Sequence, residues 1–330
     1  MMKILLTCPP MIKRINEYEV LLKKYNLDIV IPEFVQTVPE NRLIEIIGDY
    51  DGWIIGDDVA SRAVFEAGKR GKLKAAVKWG VGIDNVDIQA CKEIGIPISH
   101  TPGMFGDEVA NVALGYLLGL ARDTYMIHEG VKRKEWLKPS GISLTGKKVC
   151  LVGFGNIGRR IARRLVSLNM KIYVSDPVYI KHKHKHTHKN ENDAMGIDNF
   201  FENIIRFEEL NECLRDADFI VIACVLNKST HYLINYNNIR MCNKGVRIVN
   251  VSRGPIINES DVIRLLDEGF IHGVAFDVYE NEPIQPGNRL LEYPTNIFGT
   301  HNGSNTTEAV DLTSIKVIEL MNTFMNTFMN

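Results

Sequence analysis

The sequence predicts an α/β protein built on parallel sheets. Apolar strand-like runs alternate with helix-like segments, and a glycine-rich turn joins a strand to a helix near the middle of the chain. With 330 residues, 45% of them hydrophobic, the chain can bury a large core, and its length suggests two domains.

The strand candidates come in order. Lys3–Cys8, Asp28–Pro32, Gly52–Ile55, Ala75–Trp79 and Ile96–His100 precede the glycine turn, and Lys147 to Gly153 leads into it. Lys171–Ser175, Phe219–Cys224, Val246–Val251, Gly273–Val278 and Asn296–Gly299 follow. These short apolar runs, each bounded by turn residues, suit strands buried on both faces, and two sheets are more plausible than one. Between the two groups, Gly106 to Arg122 carries Val109, Val112, Ala113, Tyr116, Leu117 and Leu120 at helical spacing, as in a core helix or one that bridges two lobes. The repeat Met321-Asn-Thr-Phe-Met-Asn-Thr-Phe-Met-Asn reads as the frayed end of a last helix, with no regulatory domain expected after it.

Several classes are excluded on composition. A net charge of −1 provides no broad basic face for nucleic acid, and no apolar run reaches the ~20 residues that span a bilayer. The start, Met1-Met-Lys-Ile-Leu-Leu-Thr-Cys, is too short an apolar stretch for a signal peptide, so a cytoplasmic protein is expected. Its six cysteines form no Cys-x-x-Cys pair, and reduced, buried thiols follow.

The glycine turn is the most specific feature. In Val149-Cys-Leu-Val-Gly153-Phe-Gly155-Asn156-Ile157-Gly158, Gly153 permits the tight turn, Gly155 lets backbone approach a pyrophosphate, and Gly158 lets the helix pack on the strand. Ile157, Ile161, Leu165 and Leu168 give the helix its apolar stripe, and its N-terminus favours an anion. Asp176 closes the next strand about 20 residues on, where a carboxylate accepts from ribose hydroxyls and repels a 2′-phosphate. A dinucleotide site for NAD is therefore the reading; the plainer alternative is that Asp176-Pro177 only starts a turn.

The tract from Lys181 to Lys189 interrupts the pattern with alternating Lys and His. His182, His184, His186 and His188 fix no ligand geometry and the lysines repel a cation, so no functional metal site is expected. Those lysines lie close to Asp176 in sequence and would tolerate a 2′-phosphate, which works against the NAD preference.

Three further stretches carry chemistry: Asn250-Val251-Ser-Arg253-Gly, Asp277-Val-Tyr-Glu-Asn-Glu282-Pro, and Gly299-Thr-His301-Asn. Each follows a strand candidate, so Arg253, Asp277, Glu282 and His301 should project where open α/β sheets bind ligands. Singly, a His after a strand is more often a hydrogen-bonded structural residue and an Arg-Gly a turn. Their convergence on one crevice favours function.

Together these motifs resemble the D-isomer-specific 2-hydroxyacid dehydrogenase family over nearly the whole chain, and phosphoglycerate dehydrogenase-like members most. Lys78-Trp-Gly80-Val81-Gly82-Ile-Asp84-Asn85 is similar to the family's first-domain loop, and Thr101-Pro-Gly with Val109-Ala110 to its interdomain helix entry. The resemblance implies a Rossmann-type nucleotide-binding domain at 102–301 inserted into a smaller flavodoxin-like substrate-binding domain formed by 1–101 and the returning helix at 302–330. It also implies a homodimer, for which Val109–Ala121 and Trp136–Leu144 offer apolar surface.

The activity implied is hydride transfer between nicotinamide and C2 of a D-2-hydroxy acid or 2-oxo acid, with 3-phosphoglycerate, hydroxypyruvate and glyoxylate as candidates. His301 is then the acid/base and Glu282 its carboxylate support. Arg253 holds the substrate carboxylate, with backbone N–H groups around Val81 and Gly82 as further donors. Asp277 accepts from the nicotinamide carboxamide, while Cys224, Val225, Thr230 and Val251 line the cofactor cleft with the glycine-loop residues.

The chain also departs from the family. Met104-Phe105-Gly106 replaces an Asn-Thr pair, Asn111 a glutamate, Val225-Leu226-Asn227 a Pro-Leu-Thr, and Asn302-Gly303-Ser304-Asn305 a more apolar sequence. Gly56-Asp57-Asp58 stands where phosphoglycerate-specific members often carry basic residues, leaving no obvious phosphate partner except the nearby Arg62. A catalytically silent NAD(H)-binding corepressor or sensor of the same fold is the alternative, opposed by the retained Arg253, Glu282 and His301.

Overall fold

The computed structural model describes residues 1–182, 201 and 204–328, and the chain divides into two compact units. One comprises Met1–Phe105 and Ser304–Asn330, the other Gly106–Gly303. The Lys/His tract from Lys183 onward lies outside the described residues, as do the side chains of Lys181 and His182.

The first unit holds β1 (Met2–Leu6), β2 (Leu27–Val30), β3 (Gly52–Ile55), β4 (Ala75–Lys78) and β5 (Ile98–His100). They pair in parallel in the order β2-β1-β3-β4-β5, the flavodoxin-like arrangement, whose switch point lies between β1 and β3. Leu5, Trp53, Ile55, Phe65 and Ala76 form one buried cluster on this sheet. The helix Thr307–Thr327 belongs to the same unit and starts at a cap in which Thr306 Oγ1 accepts from the Ala309 amide at 3.2 Å. The stretch from Met321 that reads as the frayed end of a last helix is helical as far as Thr327, and residues 329 and 330 lie outside the described residues. Met321 and Met325 are fully buried, and a Cβ on Gly52 would come within 2.7 Å of the Met321 sulfur, so the bare backbone of β3 at Gly52 leaves room for the Met321 side chain.

The second unit holds β6 (Lys148–Val152), β7 (Lys171–Ser175), β8 (Ile205–Phe207), β9 (Phe219–Ile222), β10 (Val246–Asn250), β11 (Ile271–Phe276) and β12 (Ile297–Phe298). The order β12-β11-β10-β9-β6-β7-β8, parallel throughout, is the doubly wound dinucleotide-binding order with one added edge strand. Its switch point lies between β6 and β9, beside the glycine turn. The helix Gly106–Arg122 runs within this unit against the helix Asn156–Ser167, and Arg160 and Arg164 reach Asp107 at 2.9 and 3.1 Å.

All six cysteines are free; five are buried and Cys224 is partly exposed. Among the described residues no helix is long and apolar enough to cross a membrane, and no group of three or more His, Cys, Asp or Glu is arranged to hold a metal ion.

Candidate active site

In the second unit the strands β6, β9, β10, β11 and β12 end on the same edge of the sheet, so the predicted residues come together by topology. Gly153 leaves β6 at φ +95°, a conformation that L side chains rarely adopt, and a Cβ there would meet the Cys224 backbone at 2.7 Å. A Cβ on Gly158 would lie 2.2 Å from the Gly153 carbonyl oxygen, so the helix sits directly on the turn. Gly155 caps that helix without a side-chain hydrogen bond, and the space its Cβ would enter is open.

Asp176 follows β7 and is held by two amides. Phe154 N–H donates to Oδ2 at 2.8 Å and Val178 N–H to Oδ1 at 2.9 Å. Each oxygen keeps a second lone pair for a ribose hydroxyl. A groove of about 610 Å³ runs from Gly153 and Gly155 past Asp176 to Cys224, Val225 and Thr230. Burial pushes the Cys224 thiol up to about 12, so it lines the groove as a neutral, apolar group. Thr230 Oγ1 donates to the Val225 carbonyl at 2.7 Å, closing the loop after β9. Val251 is buried and is not among the residues that line the groove. Val178, Ile180, Leu210 and Leu233 also line it and were missed, because scattered apolar residues after a strand carry no motif. The uncapped helix N-terminus, the open space at Gly155 and the carboxylate at Asp176 fit a dinucleotide.

His301, Glu282 and Arg253, expected to carry the chemistry, lie farther along the edge. His301 Nδ1 is 2.8 Å from Glu282 Oε2, and Glu282 Oε1 accepts the Tyr279 amide at 3.0 Å. Each of the two side chains is about one-third exposed (33% and 35%), which leaves the pair accessible to a small molecule. Arg253 follows β10; its Nη1 donates to the Ser252 carbonyl at 2.8 Å, and its own carbonyl accepts from Asn250 Nδ2 at 2.9 Å. Gly254 makes this possible: a Cβ there would be 1.9 Å from the Tyr279 carbonyl carbon, so the Arg253 and Tyr279 loops touch through bare backbone.

Two arrangements were not foreseen. The amides of Glu259 and Glu280 each donate to the other residue's side chain at 2.7 Å, which ties the start of the helix Glu259–Asp267 to the loop carrying Glu282. Burial raises the Glu259 carboxyl above its usual range. Asp277 is likewise buried, and its carboxylate faces Tyr116, Asn302 and Gly303.

The comparisons with known proteins agree with this geometry. The family profile described as "D-isomer specific 2-hydroxyacid dehydrogenase, NAD binding domain" matches residues 114–303. The chain belongs to that family. It is 31% identical over 308 residues to the hydroxypyruvate reductase of Thermotoga maritima, covering 91% of this chain and 92% of that protein. With the D-3-phosphoglycerate dehydrogenase of Methanocaldococcus jannaschii it shares 32% identity over 84% of its own length, but spans only 50% of that protein. Among solved structures, D-lactate dehydrogenase from Aquifex aeolicus, complexed with NAD and lactic acid, superposes with a TM-score of 0.81 at 22% identity, covering 98% of this chain and 96% of that one. As a family member the chain is an NAD-dependent oxidoreductase acting between D-2-hydroxy and 2-oxo acids, and no observation favours a silent corepressor or sensor.

In the first unit, Val81 and Gly82 follow β4 and are half-buried. Gly80 N–H donates to Thr101 Oγ1 at 3.0 Å, and His100 Nδ1 is 3.2 Å from the Val81 carbonyl, which sets the loop. At the end of β4 in the same sheet, Lys78 Nζ is buried, bonded to the Gly56 carbonyl and 3.1 Å from Asp57 Oδ1. Asp58 is fully buried beneath Thr7 and the Val38 amide, and burial raises its carboxyl.

Proposed function

We propose that His301 exchanges the proton with the substrate oxygen at C2 through Nε2, while Glu282 orients the ring. The observation that carries this reading is the 2.8 Å contact between His301 Nδ1 and Glu282, on the sheet edge that also presents Arg253. Arg253 clamps the substrate carboxylate and polarises the neighbouring carbonyl, with the Val81 and Gly82 amides as further donors. NAD, when bound, supplies the hydride donor or acceptor. Gly153, Gly155, Asn156, Ile157 and Gly158 would cradle its pyrophosphate and Asp176 would hold its ribose, with Cys224, Val225, Thr230 and Val251 supporting the cleft. Asp277, expected to accept from the carboxamide, is buried with both carboxylate oxygens already taking donors from Tyr116, Asn302 and Gly303.

The substrate is a small 2-oxo acid with an uncharged tail, hydroxypyruvate or glyoxylate rather than a phosphorylated acid. Lys78 is already bonded to the Gly56 carbonyl and paired with Asp57, whose side chain is 57% exposed, so a phosphate at this sheet edge would meet a carboxylate. The hydroxypyruvate reductase name of the Thermotoga maritima relative supports the same choice. The protein works as a homodimer in the cytoplasm, with the unit of residues 1–105 and 304–330 as the substrate lobe and that of residues 106–303 as the cofactor lobe.

NADH oxidation followed against glyoxylate, hydroxypyruvate, pyruvate and phosphohydroxypyruvate tests this directly. Turnover should be highest with one of the first two; preference for the phosphorylated acid would overturn the substrate assignment. The D57N variant should narrow the gap by improving use of the phosphorylated acid.

A further inference from the structure

Asp277 is 3% exposed, and its charge is met by a specific set of donors. Oδ1 accepts from Tyr116 Oη at 3.2 Å and from the Asn302 amide at 3.2 Å, and Oδ2 accepts from the Gly303 amide at 2.8 Å. The Asp277 carbonyl takes the amide of His301 itself at 2.7 Å. Three successive amides, those of residues 301, 302 and 303, therefore close on one aspartate.

His301 stands at φ +53°, in the left-handed region that an L-residue holds only when its surroundings impose it. The imposing groups are those three bonds, and of the side chains that meet the Asp277 carboxylate, Tyr116 supplies the hydroxyl. Gly299 makes the approach possible, because a Cβ there would lie 2.2 Å from Tyr116 Oη and 2.1 Å from Asp277 Oδ1. Burial and the nearby Asp277 charge push the Tyr116 hydroxyl above the usual phenol range, so it stays a proton donor toward the carboxylate.

We infer that Tyr116 is a positioning residue for the acid/base histidine: its hydroxyl fixes the Asp277 carboxylate, which holds the 301–303 backbone in the conformation that aims His301. The inference rests on the acid/base reading of His301 given above. It assigns to the helix Gly106–Arg122 a part in the reaction, exerted through one oxygen atom and without contact with substrate.

The variant Y116F keeps the ring in its packing and removes only that oxygen. In the full-length enzyme, with NADH and the best 2-oxo acid from the screen, its kcat should fall about tenfold or more, as small misplacements of a reacting group do. KM for the oxo acid and the NADH dissociation constant from fluorescence titration should stay within about twofold of wild type. The solvent deuterium isotope effect on kcat should rise, because proton donation becomes more limiting; loss of packing alone would not move it. Wild-type kcat and isotope effect in Y116F would overturn the inference. So would a drop in melting temperature and NADH affinity with an unchanged isotope effect, which would assign the tyrosine to packing. H301A separates the two claims: near-normal turnover in H301A removes the acid/base reading, whereas an inactive H301A beside an unaltered Y116F removes only the role of Tyr116.

Discussion

Arg14 and Asp311 form a two-point ion pair across 297 positions of sequence, with Nε donating to Oδ1 at 2.7 Å and Nη2 to Oδ2 at 2.8 Å. Tyr18 Oη adds a third bond to Oδ1 at 2.6 Å. These donors favour the carboxylate form and hold Asp311 below its ordinary value of 3.8. An acid depressed in the folded state adds stability above its unfolded value and loses it as the pH falls through the folded one. The pair is about one-third exposed (31% and 32%), so D311N should cost only about 0.5–1 kcal/mol at neutral pH. Thermal melts of both proteins should converge as the pH drops below 3.8; a gap that persists in acid would contradict this origin.

The acid/base assignment predicts a division of labour among variants. H301A should lower turnover by about 10²–10⁴-fold and leave NADH affinity nearly intact. R253A should damage both KM and kcat, since it removes the ionic anchor and the carbonyl polarisation together. Steady-state kinetics with the best substrate checks both; near-normal turnover in H301A would end the proposed mechanism.

The proposed role of Asp176 at the ribose predicts the cofactor choice. NAD should be preferred to NADP by at least about tenfold in kcat/KM, roughly 1.4 kcal/mol. Comparable efficiencies would shift attention to the lysines between 181 and 189, and deleting that tract should then weaken NADP use selectively.

The homodimer reading rests on side chains left in solvent. Most of the helix Gly106–Arg122 is covered within its own unit, yet Leu118 (39%), Tyr125 (48%), Val131 (50%) and Trp136 (80%) remain exposed nearby in sequence. Sedimentation at micromolar concentration should show a dimer, and W136E should shift it toward monomer. A wild-type monomer would remove the idea.

Strand positions were legible because buried parallel strands read as apolar runs; Gly52–Ile55 and Lys171–Ser175 match to the residue. The predicted ends of others ran on, as in Val246–Val251 against Val246–Asn250, because Val251 and Val278 stay buried after their strands stop pairing. Hydropathy reports burial, not hydrogen bonding. The three-residue β8 was invisible, too short to show any period. The glycine loop was readable as a local motif and the Glu282–His301 pair through the family resemblance, whereas the Tyr116–Asp277 contact joins residues 161 positions apart and leaves no spacing to read.

Strand β3 and the helix whose methionines cover it are separated in the chain by the whole of residues 106–303. During synthesis the nucleotide unit is therefore finished while the first sheet still shows the apolar surface around Gly52 and Ile4 that Met321 will fill. That surface is a hazard for the nascent chain and a reason to keep the 307–327 helix intact in any shortened version of the protein.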